Sequence, residues 1–394
     1  MTTSLRPVLN PLVVDTGTPP IPEVQGWAAR YGGALGPMVD MCQAAPGYAP
    51  HPALLARLAE EAGQWENARY GPIAGDPRLR DAYAAHLSAT QGGEVAPDQV
   101  VITAGCNQAF TLAAMTLVRR GEAVVLPVPW YWNHAMTLGM LGIEARTLPC
   151  RPEDGFVPDP HRAERLLADG RVRAVVLVTP NNPTGAVYPA AVVARFHELC
   201  QRHGAWLILD ETYRDFLPDG AERSHDLFAD LRWPEGVVGL HSFSKGYCIP
   251  GHRLGAVAAS AAVVAQFLKV LDCLHICPQR PAQAALAWAI PALAAWRAES
   301  RAEMARRAEA MRAALAGLPG WETASLGACF AYARHPFAGV PGERVLERMA
   351  TERGVLALPG SAFGPGQDAY VRLAFAATDV DAVATAGRRL AGMG

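Results

Sequence analysis

Lys245 stands in the run His241-Ser-Phe-Ser-Lys-Gly-Tyr-Cys-Ile-Pro-Gly-His-Arg253, with hydroxyls close by and an arginine eight residues later. An amine condenses with a carbonyl only when deprotonated, so a Schiff-base lysine needs burial or neighbouring cations to lower its pKa. Ser242 and Arg253 suit an anionic group, such as the phosphate of an aldehyde-bearing molecule. A lysine among polar residues equally fits a solvated surface charge. The rest of the chain has to decide between the two.

Three further runs fall where apolar strands end, the place that ligands occupy in open α/β sheets. Asp210 follows the apolar stretch Trp206–Leu209 and opens Asp210-Glu-Thr-Tyr-Arg-Asp-Phe216. A carboxylate there loses solvation unless it meets a cation or a donor; the alternative is a cap for the next segment. Thr179-Pro-Asn-Asn-Pro-Thr-Gly185 reads as a tight loop that presents an Asn side chain, or as a plain turn. In Thr103-Ala-Gly-Cys-Asn-Gln-Ala109, Gly105 joins a strand to a helix start, whose free N–H groups suit a phosphate.

The elements that must hold these residues alternate in type. Apolar runs at 100–103, 123–126, 174–178, 206–209, 237–240 and 254–258 read as strands, continuous rather than in-out, hence covered on both faces. Helical stretches between them include Gln108–Val118 and Ala190–His203. The pattern is α/β with a largely parallel sheet. Residues 1 to about 50, rich in Pro and Gly, read as an extended arm, and an Ala- and Arg-rich helical region spans about 281–316. Strands at Cys329–Ala333 and Tyr370–Phe375 belong to a C-terminal α+β portion.

Composition narrows the class. With 394 residues, 51% hydrophobic and 18% charged, the chain supports a sizeable core and is not expected to be disordered. A net charge of −2 without a basic block gives no reason to expect nucleic acid or an anionic membrane as partner. Apolar stretches break well before the ~18 residues of a membrane span. The start lacks the apolar core of a signal peptide, and eight scattered cysteines suit free thiols, so a cytoplasmic location is expected. Cys273-x-His275-x-Cys277 has no second ligand pair, and no metal is expected there.

In order along the chain come Tyr70-Gly-Pro-Ile-Ala-Gly-Asp-Pro-x-Leu-Arg80, Gly105-Cys106-Asn107, Pro129-x-Tyr131, Asn182-Pro-Thr-Gly, Asp210-x-x-Tyr213, Ser242-x-x-Lys245, Arg253 and Arg372. This set resembles the class I/II aminotransferases, pyridoxal-phosphate enzymes of fold type I in the aspartate aminotransferase superfamily, over roughly residues 40–375. The resemblance implies a large domain with a mostly parallel central sheet flanked by helices, plus a smaller α+β domain. It divides the chain into an N-terminal arm and part of the small domain (1–51), a large cofactor-binding domain (52–285) and a C-terminal small domain (286–394).

Residue by residue, the resemblance implies that Lys245 forms the internal aldimine with pyridoxal 5'-phosphate and later shuttles the proton. Asp210 keeps the pyridine nitrogen protonated, while Tyr213 and Asn182 hydrogen-bond the phenolic oxygen. Tyr131 stacks on the ring, and Arg253, Ser242 and the Gly105-Cys106-Asn107 backbone hold the phosphate. Arg372 pairs with the substrate α-carboxylate, where Asn182 and Tyr131 also bind substrate. Tyr70 reaches the phosphate of a neighbouring subunit, which implies a homodimer with shared active sites.

The implied reaction moves the amino group of an L-amino acid to a 2-oxo acid through a pyridoxamine phosphate intermediate. The alternative is a C–S β-lyase or another side-chain elimination, replacement or cyclisation enzyme on the same fold. The segment Lys269–His275 has no arginine where dicarboxylate-specific relatives carry one, and Arg280 is offset. Trp130, Tyr131 and Trp132, with Tyr48 as a fourth, suggest a neutral or aromatic substrate side chain, or else core and interface aromatics.

Overall fold

The computed structural model describes residues 7–218, 220, 221 and 223–393; the first six residues of the expected arm lie outside them. The strands are β1 (Val39–Asp40), β2 (Val100–Thr103), β3 (Ala123–Val128), β4 (Glu144–Pro149), β5 (Val172–Val178), β6 (Trp206–Asp210), β7 (Val237–Ser242) and β8 (Gly255–Ala258). Then come β9 (Glu322–Gly327), β10 (Phe330–Arg334), β11 (Val355–Leu356), β12 (Leu358–Pro359) and β13 (Tyr370–Leu373).

The central sheet has seven strands in the order β2-β8-β7-β6-β5-β3-β4. β3 pairs parallel with β4 and β5, β5 with β6, and β6 with β7. β8 runs antiparallel to both its neighbours, β7 and β2. All other strands therefore point the same way, and the ends of β2, β3, β5, β6 and β7 open on one rim. Helices cover both faces, and two separate apolar cores sit on either side of the sheet. This burial on both sides explains the continuous apolar runs, such as β5, where every residue but Arg173 is buried. β4 had no such signature: it is an edge strand with one fully buried residue, Leu148, so its sequence stays mixed.

A third core joins the N-terminal segment to the C-terminal portion. Val24, Trp27, Met41 and Cys42 share it with Met304, Phe330, Leu358 and Phe375. The expected extended arm is corrected here, because Pro20–Ala28 is a helix with Pro in its first turn that buries Val24 and Trp27. β1 pairs parallel with β11, and Ala374 N donates to the Met41 carbonyl at 2.8 Å. The expected helical region at 281–316 is two helices, Arg280–Ala292 and Ala294–Ala316, that meet at Leu293 just after Pro291. The second sheet is antiparallel, β12-β13-β10-β9, and β13 carries Arg372 into the junction between the two sheets. Among the described residues no helix is long and apolar enough to cross a membrane.

Candidate active site

β7 ends at Ser242, whose Oγ accepts from Ser244 N at 3.3 Å and caps the short helix Phe243–Gly246. That helix aims Lys245 into a pocket on the rim of the central sheet, with Cys106, Asn107, Tyr131, Asn182, Asp210, Tyr213, Ser242 and Arg253 around it. The Lys245 amine is therefore not a solvated surface charge. Its pKa falls to about 8, by burial first and with help from the Arg372 and Arg253 charges. Lys245 Nζ lies 5.9 Å from the centroid of the Tyr213 ring, which packs edge-on against Phe330 at 5.0 Å.

Asp210 closes β6 and is buried. Its Oδ1 accepts from Thr212 N at 3.0 Å and from Thr212 Oγ1 at 2.7 Å, and His134 Nε2 stands 3.3 Å from Oδ2. Burial opposes ionisation, but the His134 and Thr212 bonds outweigh it and hold the carboxyl below its usual range. His134 is itself wedged against Phe110 (4.1 Å) and meets Tyr131 edge-on at 5.3 Å. His134, Thr212 and Ser244 are site residues that the sequence reading missed. The available signal was the spacing of His134, three positions after Tyr131 and so one turn into the same helix, Trp132–Leu141.

The loop after β5 divides its two asparagines. Asn181 is structural: its Oδ1 accepts from Thr184 N (3.2 Å) and Oγ1 (2.9 Å), and its amide donates to Tyr188 at 3.1 Å. Gly185 closes the loop at φ +73°, where a Cβ would stand 2.3 Å from the Gly327 carbonyl. Asn182 is left to face the pocket, and its Oδ1 accepts from Arg372 Nη1 at 3.0 Å.

Arg372 is fully buried, its guanidinium walled by Phe330 (5.1 Å), Phe363 (5.3 Å) and Trp132 (5.6 Å). Nη2 donates to the Cys42 carbonyl and Nε has no protein partner. Burial lowers its pKa to about 10. A desolvated guanidinium without a carboxylate is poised for an anionic ligand.

At the other end of the pocket, Gly105 (φ +81°) precedes the helix Cys106–Leu117 and faces Arg253. A Cβ on Gly105 would stand 2.3 Å from Arg253 Nη2. Arg253 Nη1 donates to the Pro250 carbonyl at 3.0 Å, and Ser244 Oγ is buried without a partner. A helix start, an arginine and an orphaned hydroxyl fit a phosphate. Lys245 and Asp210 between the phosphate end and Arg372 fit an aldehyde-bearing pyridine.

Other residues that the sequence brought into question lie outside this pocket. Tyr48 packs edge-on against Trp296 (6.3 Å) and under Arg307 (5.2 Å), not at the pocket. Trp130 lines a separate outer cavity of about 590 Å³ with Thr18 and Glu23, and Trp132 stands between that cavity and Arg372. Tyr70 is 80% exposed and does not line the pocket of its own chain. Arg280 donates to the Glu66 carbonyl and lies against Gly71. Cys277 Sγ accepts from Gly71 N at 3.2 Å, and among the described residues no group of three or more His, Cys, Asp or Glu could hold a metal.

The sequence model of the family described as aminotransferase class I and II matches residues 37–390. An aromatic aminotransferase of Arabidopsis thaliana is 31% identical over 78% of this chain and 77% of its own length. A valine–pyruvate aminotransferase of Mycobacterium tuberculosis is 31% identical over 74% and 73%. The structure of a Thermus thermophilus aspartate aminotransferase single mutant superposes with a TM-score of 0.90 at 26% identity, covering 98% of this chain and 100% of that one. The chain belongs to the class I and II aminotransferase family and is a pyridoxal-phosphate-dependent aminotransferase.

Proposed function

We propose that this enzyme transfers the amino group of an L-amino acid with a neutral or aromatic side chain to a 2-oxo acid. The observation that carries the reading is Arg372, buried, hydrogen-bonded to Asn182 and ringed by Trp132, Phe330 and Phe363. It offers an α-carboxylate a bidentate partner and lays apolar surface beside it. Arg280, the arginine near the place where dicarboxylate-specific relatives carry theirs, is engaged with Glu66 and Gly71 instead. The aromatic and valine–pyruvate names of two relatives support the same class.

When bound, pyridoxal phosphate supplies an electron sink for the carbanion at the substrate α-carbon. Arg253, Ser242, Ser244 and the N–H groups after Gly105 would hold its phosphate. Tyr131 would stack on the ring, and the ionised Asp210 would hold a proton on the pyridine nitrogen, with His134 and Thr212 keeping its carboxylate aimed. Tyr213 and Asn182 would meet the phenolic oxygen. Lys245 Nζ, with its pKa near 8, can both lose and regain a proton at the substrate α-carbon near neutral pH.

The exposed Tyr70, with Trp65, Leu274 and Ile276 also exposed, supports a homodimer in which Tyr70 completes the partner's phosphate site.

The test is a single half-reaction. Holoenzyme mixed with phenylalanine, leucine, valine, aspartate or glutamate and no acceptor should release one equivalent of 2-oxo acid per site, then stop until an acceptor is added. Neutral and aromatic donors should react fastest. Continuous release of pyruvate and ammonia from a cysteine conjugate would sink the transamination reading, and a clear preference for aspartate would sink the substrate class.

A further inference from the structure

A second cationic pocket lies away from the active site, between the end of helix Pro77–Gln91, the turn Arg214–Phe216 and the start of helix Ala294–Ala316. Its volume is about 240 Å³, and among the described residues its charged lining is Arg214, Arg223, Arg297 and Arg301 with the carboxylate Asp215, and His86 beside them. Arg223 is paired with Asp226 at 2.5 Å, and Arg301 Nη2 donates to the Ala221 carbonyl at 2.9 Å. Among the described residues the other two guanidiniums are incompletely satisfied. Arg214 has a side chain only 6% exposed, yet its Nη2 has no partner. Its nearest carboxylate oxygen, Glu211 Oε2, is 3.9 Å away and faces His225 Nε2 at 3.4 Å, while Glu211 Oε1 accepts from Gln91 at 3.1 Å.

Arg297 Nη1 donates to Asp215 Oδ1 at 3.2 Å, and its Nε has no partner. Leaving buried guanidinium N–H groups unpaired is costly, and a planar or tetrahedral oxyanion satisfies them in pairs. His86 adds no competing proton demand: burial first, then the Arg214 and Arg297 charges, hold it neutral.

The pocket also abuts the catalytic lysine's helix. A Cβ on Gly246, the residue after Lys245, would stand 2.3 Å from Asp215 Oδ2, and the Arg297 guanidinium lies 5.4 Å over the Tyr247 ring. Arg214 directly follows Tyr213. An anion that draws Arg297 away from Asp215 therefore changes the contact beneath residues 245–247.

We propose that this pocket binds a small multivalent oxyanion, phosphate or polycarboxylate, and that its occupancy is sensed at the Lys245 segment. Calorimetry on the cofactor-saturated enzyme, with inorganic phosphate and with citrate at constant ionic strength, tests the binding. One saturable site per chain is expected, weakened at least tenfold in Arg297→Gln and in Arg301→Gln, each first shown to melt cooperatively, and retained in Arg372→Leu. Heat with phosphate alone assigns a phosphate ligand, and heat with citrate alone a polycarboxylate. No saturable heat with either probe, or binding kept in both pocket variants but lost in Arg372→Leu, overturns the site. Saturating anion should also change kcat in the wild type and not in Arg297→Gln; an equal response in the two overturns the sensing.

Discussion

Arg372 Nη1 donates to Asn182 Oδ1 at 3.0 Å, joining β13 of the second sheet to the loop that follows β5 of the first. One bond thus ties this arginine to the pocket that holds Lys245. The arginine's Nε, also buried, has no protein partner.

Arg372→Leu should therefore separate stability from activity. Replacing this buried cation by an apolar side chain removes a costly desolvated charge, which offsets the acceptors left unpaired on Asn182 and Cys42, while loss of a bidentate carboxylate partner costs about 3–5 kcal/mol of substrate binding. Thermal melting should show Tm unchanged or raised. Steady-state kinetics should show kcat/KM reduced by about 10²–10⁴-fold, since each 1.36 kcal/mol is tenfold.

Lys245 makes the stability of the cofactor-free protein depend on pH. Its pKa is near 8 in the folded chain against 10.5 as the ordinary value. Between these values the unfolded chain binds more protons than the folded one, so stability rises with pH across that window; below pH 8 the full cost of the buried charge is present. Urea denaturation from pH 7 to pH 10.5 should show a gain of about 2–4 kcal/mol. Lys245→Met should lack that gain and be the more stable protein at pH 7.

His134 is a positioning residue acting through Asp210. His134→Phe removes the hydrogen bond to Oδ2 and leaves the two from Thr212, a loss of about 1.5–3 kcal/mol for a bond to a charged group. The Asp210 pKa, held below its usual value in the native protein, should rise. Stability from this carboxylate is present above the unfolded pKa and lost as pH falls through the folded one, so the variant should lose it at higher pH than the wild type. The acid limb of the kcat profile should move the same way, and His134→Asn should recover part of the shift.

Gly105 has two reasons to be glycine, φ +81° and the Arg253 guanidinium against its missing Cβ. Gly105→Ala should add about 1–2 kcal/mol of backbone strain and displace Arg253. Titration of the cofactor-free protein with pyridoxal phosphate should show affinity reduced at least tenfold, with Arg253→Lys showing a comparable loss.

Tyr70 supplies a test of the shared site. Tyr70→Phe and Lys245→Ala chains, each impaired alone, should regain activity when refolded together, because the mixed dimer has one intact site. Activity that stays at the sum of the two parents would leave Tyr70 outside the site.

Much of this enzyme is legible in its residues because burial on both sheet faces writes continuous apolar runs, and several candidate site residues sit where such a run ends. Lys245, Asp210, Asn182 and Arg253 follow β7, β6, β5 and β7 in turn, and the structure gathers all four in one pocket. The errors have equally physical causes. β4 is an edge strand and carries no apolar run; the helix Pro20–Ala28 is hidden in Pro-rich sequence because proline also starts helices. Residue type left Tyr48 open between pocket and core, and the neighbours that place it away from the pocket, Trp296 and Arg307, are distant in sequence.

What the sequence determined by itself is the class of fold, the enzyme family and its cofactor, since these depend on local runs and on their order. The tertiary structure alone decided the environment of each group. It set His134 under Asp210, left Ser244 Oγ and Arg372 Nε without partners, and brought Arg214 and Arg297 together across a pocket. Those are contacts between residues tens to hundreds of positions apart, and desolvation and pairing energies depend on such contacts rather than on neighbours along the chain.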